Sequence, residues 1–112
     1  MNEANLYHYR AVVVAVTDGD TVVVDIDLGL RIWSRKQVLR LEGVAAPETR
    51  TPEGRQAKAW LAAELPVGTP VIVRTKKDRR EKYGRWLASI DVGSVDLMGL
   101  LQQKWPVVNG GR

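Results

Sequence analysis

The sequence predicts a β-rich α+β domain of five strands and two helices, on three observations. Short runs rich in β-branched residues recur along the chain, turn-forming Gly, Pro and Asp separate them, and two stretches carry apolar residues at helical spacing. At 112 residues the chain fits a single domain, long enough to bury a core and too short for two.

Tyr9 to Val16 reads as the first strand. Thr17-Asp18-Gly19-Asp20 follows as a tight turn in which Gly19 is free to take positive φ, and Thr21 to Leu28 returns as the second strand of a hairpin. Gly29 breaks that strand, and residues 29–36 read as an exposed basic loop. Val38 to Val44 forms the third strand, with Leu39 and Leu41 on one face and Val38, Arg40 and Glu42 on the other. Pro47, Pro52 and Gly54 mark an irregular connection into a helix from about Glu53 to Leu65, where Ala57, Leu61 and Leu65 recur at i, i+4 beside Trp60. Pro66, Gly68 and Pro70 end it. Val71 to Thr75 is the fourth strand, residues 76–82 are a basic loop, and Arg85 to Val92 is the fifth strand. A last helix spans Val95 to Lys104 with Val95, Leu97, Met98, Leu100 and Leu101 as its apolar stripe, and Trp105-Pro106 stops it. The domain occupies residues 1–112, with a core of about 8–105 and a C-terminal tail at 106–112 whose end, Asn109-Gly110-Gly111-Arg112, is frayed. Five strands with a helix between the third and fourth is the order of an OB-fold, a Greek-key barrel that often binds oligonucleotides or oligosaccharides.

Composition narrows the chemistry. The absence of cysteine excludes disulfides, thiolate nucleophiles and Cys-based zinc sites, and the single His8 excludes a histidine cluster and argues against a Ser-His-Asp triad. Acid–base chemistry must rest on carboxylates, Lys or Tyr. The net charge of +4 is concentrated: Arg74, Lys76, Lys77, Arg79, Arg80, Lys82 and Arg85 face only Asp78 and Glu81, and a second cluster holds Arg31, Arg35, Lys36 and Arg40. Such patches suit a polyanion whose condensed counterions are released on binding, although a solvated basic loop has the same composition. No apolar run approaches the ~20 residues of a membrane span, and the opening MNEANLYHYR lacks the features of a secretory signal. The expectation is a soluble monomer without membrane association, cytoplasmic as given, and secreted or periplasmic if a signal has been removed.

Three segments are polar where a packed strand has no need to be. Asp18 and Asp20 flank Gly19 at the hairpin turn, where oxygen ligands suit a hard cation, although Asp-Gly is also a common turn. Arg40 lies between two leucines in a strand, a setting that calls for an anionic partner, and Pro47-Glu48-Thr49 follows. Gly84-Arg85 opens the fifth strand beside the densest basic run, with Tyr83 and Trp86 placed to stack on a base or to pack, packing being favoured for Trp86.

Together these segments resemble the staphylococcal nuclease family. Its DGDT hairpin appears as Asp18-Gly19-Asp20-Thr21, its R-L-x-G-[IV]-x-x-P-E segment as Arg40 to Glu48, and its K-Y-G-R-x-L-A segment as Lys82 to Ala88. Order, spacing and the intervening helix match from about Val12 to Lys104. The resemblance implies a calcium-dependent phosphodiesterase that cuts DNA or RNA, single-stranded or unpaired, to 3′-phosphate products with little sequence preference. It implies Asp20 as a direct calcium ligand, the Ala46 carbonyl as another, and Glu48 as the base or the group orienting the attacking water. Arg40 and Arg85 would clamp the phosphate through planar forks that meet two oxygens at once, Asp18 and Thr21 would support the metal loop, and Lys82 and Tyr83 would contact the nucleotide phosphate.

The chain departs from the family at two points. Ala45 and Ala46 stand where the family has Asp and then Thr or Cys, so a second carboxylate ligand is missing, with Glu42 and Asp18 as candidate substitutes. The family's third helix, and the base-stacking tyrosines before it, have no counterparts in Trp105 to Arg112. The implied enzyme is therefore weakened in metal affinity. The alternative is a degenerate OB-fold module that binds nucleic acid or a protein without cutting. Arg40, Glu48 and Arg85 favour the enzyme; Ala45 favours the binder.

Overall fold

Valine-rich β1 (His8–Asp18) and β2 (Thr21–Asp27) pair antiparallel from Arg10 opposite Asp27 to Asp18 opposite Thr21. β1 is long enough to serve two neighbours, and its register shift between Val13 and Ala15 lets it bend from one to the other. Its first five residues also pair with β4 (Pro70–Arg74). β3 (Trp33–Leu41) runs antiparallel to β2, β5 (Trp86–Asp91) antiparallel to β4, and β3 joins β5 in parallel through Leu39–Trp86, Arg40–Leu87 and Leu41–Ala88. The order β1-β2-β3-β5-β4 closes into a barrel in this computed structural model, with α1 (Pro52–Glu64) between β3 and β4 and α2 (Leu97–Lys104) at the C-terminal side, as the OB-fold expectation requires. The structure describes residues 7–75, 84–93 and 95–107.

Inward positions of every strand fill the barrel: Val13, Val22, Val24, Leu39, Leu41, Val73 and Ile90 are buried to the last few percent. Leu61 and Leu65 of the α1 segment and Leu97, Met98 and Leu101 of α2 join the same cluster. Each wholly buried Val or Leu side chain contributes about 1.5–3 kcal/mol relative to exposure.

Four boundaries differ from expectation for physical reasons. Residues 33–36 are strand, although outside the barrel: there β3 pairs only with β2, through Ile26–Ser34 and Asp27–Trp33, so the arm shows no inside-outside alternation in its sequence. β3 ends at Leu41 because Gly43 turns the chain at φ 76°, so Glu42 lies beyond the strand and Val44 survives as an isolated bridge to Pro106. Pro106, expected at the start of the tail, is thus paired to the barrel side of the chain through Val44. α2 begins at Leu97, capped by Asp96 accepting from the Gly99 amide, and its buried face is Leu97, Met98 and Leu101; Val95 and Leu100 are exposed. Gly19 does not use positive φ. A Cβ there would lie 2.7 Å from the Cβ atoms of both Ala46 and Ala57, so close approach is the reason for glycine.

Candidate active site at the first hairpin turn

The turn between β1 and β2 is pressed under the connection that follows β3. Asp20 sits at its end, and its side chain is 4% exposed. Burial of a carboxylate demands donors and a counter-charge, and this one has both. Thr21 Oγ1 donates to Oδ1 at 3.0 Å, the Ala46 amide donates to Oδ2 at 3.1 Å, and Arg40 Nη2 lies 3.5 Å from Oδ2. The Asp20 carbonyl also accepts from the Leu41 amide, which ties the turn to the end of β3.

Arg40 is the anion's counter-charge. It pairs with Thr21 across the β2–β3 ladder and with Leu87 across the β3–β5 seam, which brings its side chain to Asp20. Nη1 donates to the Leu41 carbonyl at 2.8 Å, and only 10% of the side chain meets solvent. Arg85 enters from the residue before β5 and donates from Nη1 to Thr21 Oγ1 at 3.3 Å. Thr21 is therefore a hub that donates to Asp20 and accepts from Arg85. Two guanidinium groups converge on one hairpin turn, with Arg85 the more exposed.

The remaining expected residues are placed around this cluster. Asp18 is half-buried and accepts a hydrogen bond from Thr49 Oγ1, which fastens the turn to the Pro-Glu-Thr loop. Glu48 lies on that loop, but its carboxylate is 61% exposed and pairs with Arg50 Nε at 2.6 Å. Glu42 is tied toward α2 by its backbone, since its carbonyl accepts from Gln102 Nε2 at 3.0 Å. Lys82 and Tyr83 lie outside the described residues. Trp86 is packed: its indole Nε1 donates to Gln37 Oε1 at 2.8 Å, and it lines an apolar cavity of about 160 Å³ with Tyr9, Leu39 and Val73.

The basic clusters also resolve differently in space. Arg40 lies at the far end of β3 from Arg35 and Lys36, five residues or ~16 Å of strand from Arg35, and belongs to the buried turn rather than to their patch. Arg74 is partly neutralised by Asp91, with Nη2 donating to Oδ1 at 2.9 Å and Nε 2.7 Å from Oδ2 without hydrogen-bond alignment.

Sequence reasoning missed three residues that hold the Glu48 loop. Arg50 pairs with the Glu48 carboxylate. Thr51 caps α1, accepting from the Gly54 amide at 3.0 Å, while its own amide and hydroxyl donate to the Glu48 carbonyl. Gly54 permits this wrapping, because a Cβ there would fall 1.7 Å from the Glu48 carbonyl oxygen. The Thr51-Pro52-Glu53 run is a helix-start signature that points to the cap; nothing local in the sequence points to Gly54.

Known proteins supply an independent comparison. A thermonuclease of Staphylococcus hyicus is 36% identical over 101 residues, covering 83% of this chain and 53% of that protein. The endonuclease Htp3 of Saprolegnia parasitica is 36% identical over 104 residues, covering 74% of this chain and 49% of that protein. Over most of its own length the chain is thus similar to two proteins named as nucleases, in agreement with the staphylococcal nuclease resemblance of its motifs. No family model matches the chain, and it spans about half the length of the curated relatives it matches.

Set against the calcium site that the motif resemblance implies, the donor set at this turn is poor in carboxylates. Calcium takes six to eight oxygens, commonly several of them from carboxylates. Here Asp20 already accepts from a hydroxyl and an amide and faces a guanidinium, Asp18 is bonded to Thr49, and position 45 is alanine. Among the described residues no group of three or more His, Cys, Asp or Glu side chains is arranged to hold a metal. These residues do not fit a tightly held calcium ion.

Proposed function

We propose that this chain hydrolyses phosphodiester bonds in DNA or RNA, with Arg40, Arg85 and Glu48 as the working residues. The observation that carries the proposal is the convergence of Arg40 and Arg85 on the Asp20–Thr21 turn. Two guanidinium groups beside one turn are suited to a phosphate whose charge grows as phosphorus becomes five-coordinate. Arg85 meets the phosphate first, being the more exposed. Arg40 is held in place beside it by Asp20 and the Leu41 carbonyl.

Glu48 takes the proton of the attacking water. Its partner Arg50 is 83% exposed, so their ion pair is weak enough for an arriving phosphate to replace it. The water oxygen bonds to phosphorus as the bond to the 5′-oxygen breaks; that oxygen takes a proton from solvent, leaving a 3′-phosphate end and a 5′-hydroxyl end. Single strands or unpaired regions of DNA or RNA are the proposed substrates. Calcium is assigned no step, because the donor set fits it poorly.

A second reading is favoured by that same donor set. With Asp20 committed to Arg40 and Ala46, the domain would bind nucleic acid without cutting it.

Degradation of denatured DNA, followed with calcium and with chelator, separates the two. The nuclease reading expects cleavage that Glu48→Gln and Arg85→Ala each reduce at least tenfold without loss of folding. Absence of cleavage at high protein concentration, with gel-shift binding retained, establishes the binder. Ala45→Asp tests the ligand question directly, and a large calcium-dependent gain would identify position 45 as the missing oxygen donor.

A further inference from the structure

The β2–β3 arm carries Leu30, the most exposed large apolar side chain among the described residues, with three further exposed apolar side chains close by in sequence, and the proposed nuclease chemistry does not use them. Leu30 is 93% exposed, Ile32 54% and Leu28 51%, and Trp33 stands beside them. A soluble hairpin tip is normally built of Gly, Asn and Asp, and this one is Leu28-Gly29-Leu30-Arg31-Ile32-Trp33.

The tip is also built at a conformational cost. Leu30 and Arg31 take φ of 55° and 63°, in the left-handed region that disfavours side chains bearing Cβ. Hydrogen bonds hold the turn there: Leu28 donates to the Ile32 carbonyl at 2.8 Å, Ile32 to the Gly29 carbonyl at 2.9 Å, and Gly29 to Asp27 Oδ1 at 2.8 Å. Below the tip, Asp25 accepts from the Lys36 amide at 2.9 Å and from Arg35 Nη1 at 3.1 Å. A fixed turn that holds a leucine in solvent loses both hydration and backbone energy, so its side chain is expected to have a use.

We propose that this arm is a docking element for an anionic lipid surface. The leucine and isoleucine side chains would enter the boundary between headgroups and acyl chains, Trp33 would sit at the interface, and Arg31 and Lys36 would meet the headgroup charge. Leu30 and Ile32 are exposed at a hairpin tip, and a fluid bilayer accommodates such side chains without a preformed partner pocket. Nucleic acid fits it less well. Bases stack on aromatic faces, whereas three of the four apolar side chains here are aliphatic, and the Arg35 guanidinium already lies 4.8 Å from the Trp33 ring centroid. No described helix is long and apolar enough to cross a membrane, but contact of this kind needs no spanning segment.

Flotation with phosphatidylcholine vesicles, with and without phosphatidylglycerol, tests the inference independently of any nuclease assay. The whole chain is expected to float with the anionic vesicles and not with the neutral ones. Leu30→Asn relieves the backbone conflict because asparagine tolerates positive φ, so its melting temperature should stay level or rise while vesicle binding falls at least fivefold. Arg31→Glu with Lys36→Glu should abolish the preference for anionic vesicles. Failure of the unmodified chain to float, or equal flotation of the Leu30→Asn variant, overturns the proposal. Self-association that rises with protein concentration and disappears in Leu30→Asn, without flotation, overturns it in favour of contact between two copies.

Discussion

Asp20 and Arg40 hold each other inside the protein, and that changes what a substitution at either can report. Removing one member of a buried pair leaves the other charge uncompensated, which typically costs about 3–5 kcal/mol. Asp20→Ala is therefore expected to lower stability by about 3 kcal/mol or more in urea unfolding, and its loss of nuclease activity would follow largely from the turn coming apart. Arg85 differs, because its bond to Thr21 is made from a half-exposed side chain. Arg85→Ala should cost less than about 1 kcal/mol of stability and still remove most cleavage, which makes it the cleaner probe of the proposed clamp. Gly54→Ala belongs to the same scale. Its Cβ would meet the Glu48 carbonyl, so the loop must move, at about 1–3 kcal/mol of stability and a clear loss of cleavage. Wild-type stability and activity in Gly54→Ala would show that the Glu48 loop is not held as described.

At the scale of elements, the strand order and both helices were legible because β-branched runs, turn residues and helical spacing agree with one another. The β3 arm was not legible as strand. Its residues 33–36 pair on one side only and lie outside the barrel, so burial leaves no period of two for a reader to find. Asp25 supplies what the pattern lacks, fixing the arm through the Lys36 amide and Arg35. The Lys36 amide bond, reinforced by Arg35, holds the Asp25 carboxyl below its ordinary value of 3.8. A carboxyl whose folded pKa is depressed contributes stability that is fully present above the unfolded value and is lost as pH falls through the folded one. The arm should therefore stay intact above about pH 4 and loosen as acid protonates Asp25, read as the exchange rate of the Lys36 amide. Asp25→Asn should exchange faster at neutral pH and show little further change in acid; an identical acid transition in the variant would refute the assignment. The site was legible in part for a related reason. Asp20, Arg40 and Arg85 sit within fixed motifs, whereas the pairing of Glu48 with Arg50 joins two exposed side chains whose contact no spacing rule dictates.

For the whole molecule, the seam that closes the barrel and the seam that carries the site are the same. β3 and β5 meet through only three residue pairs, and Arg40 is the middle one on its strand, directly after buried Leu39 and before buried Leu41. Closure therefore brings Arg85, at the foot of β5, to the turn where Arg40 already lies. Linear order separates these arginines by 45 residues, so their meeting follows from topology and from the motif resemblance rather than from local pattern. The formal charge of +4 offers a nucleic acid basic residues at many points of the chain, whereas the proposed clamp engages one phosphate. These contributions separate by salt dependence. Binding of a fluorescent single-stranded oligonucleotide, in a Glu48→Gln background so that the proposed cleavage is suppressed, should weaken steeply with added salt. Arg85→Ala should reduce the slope of log K against log salt by about one phosphate contact, ~0.7 for a single strand. An unchanged slope would mean that Arg85 does not touch the bound strand. A collapse of the slope to near zero would mean that the other basic residues contribute little to capture and that this arginine is the principal phosphate anchor.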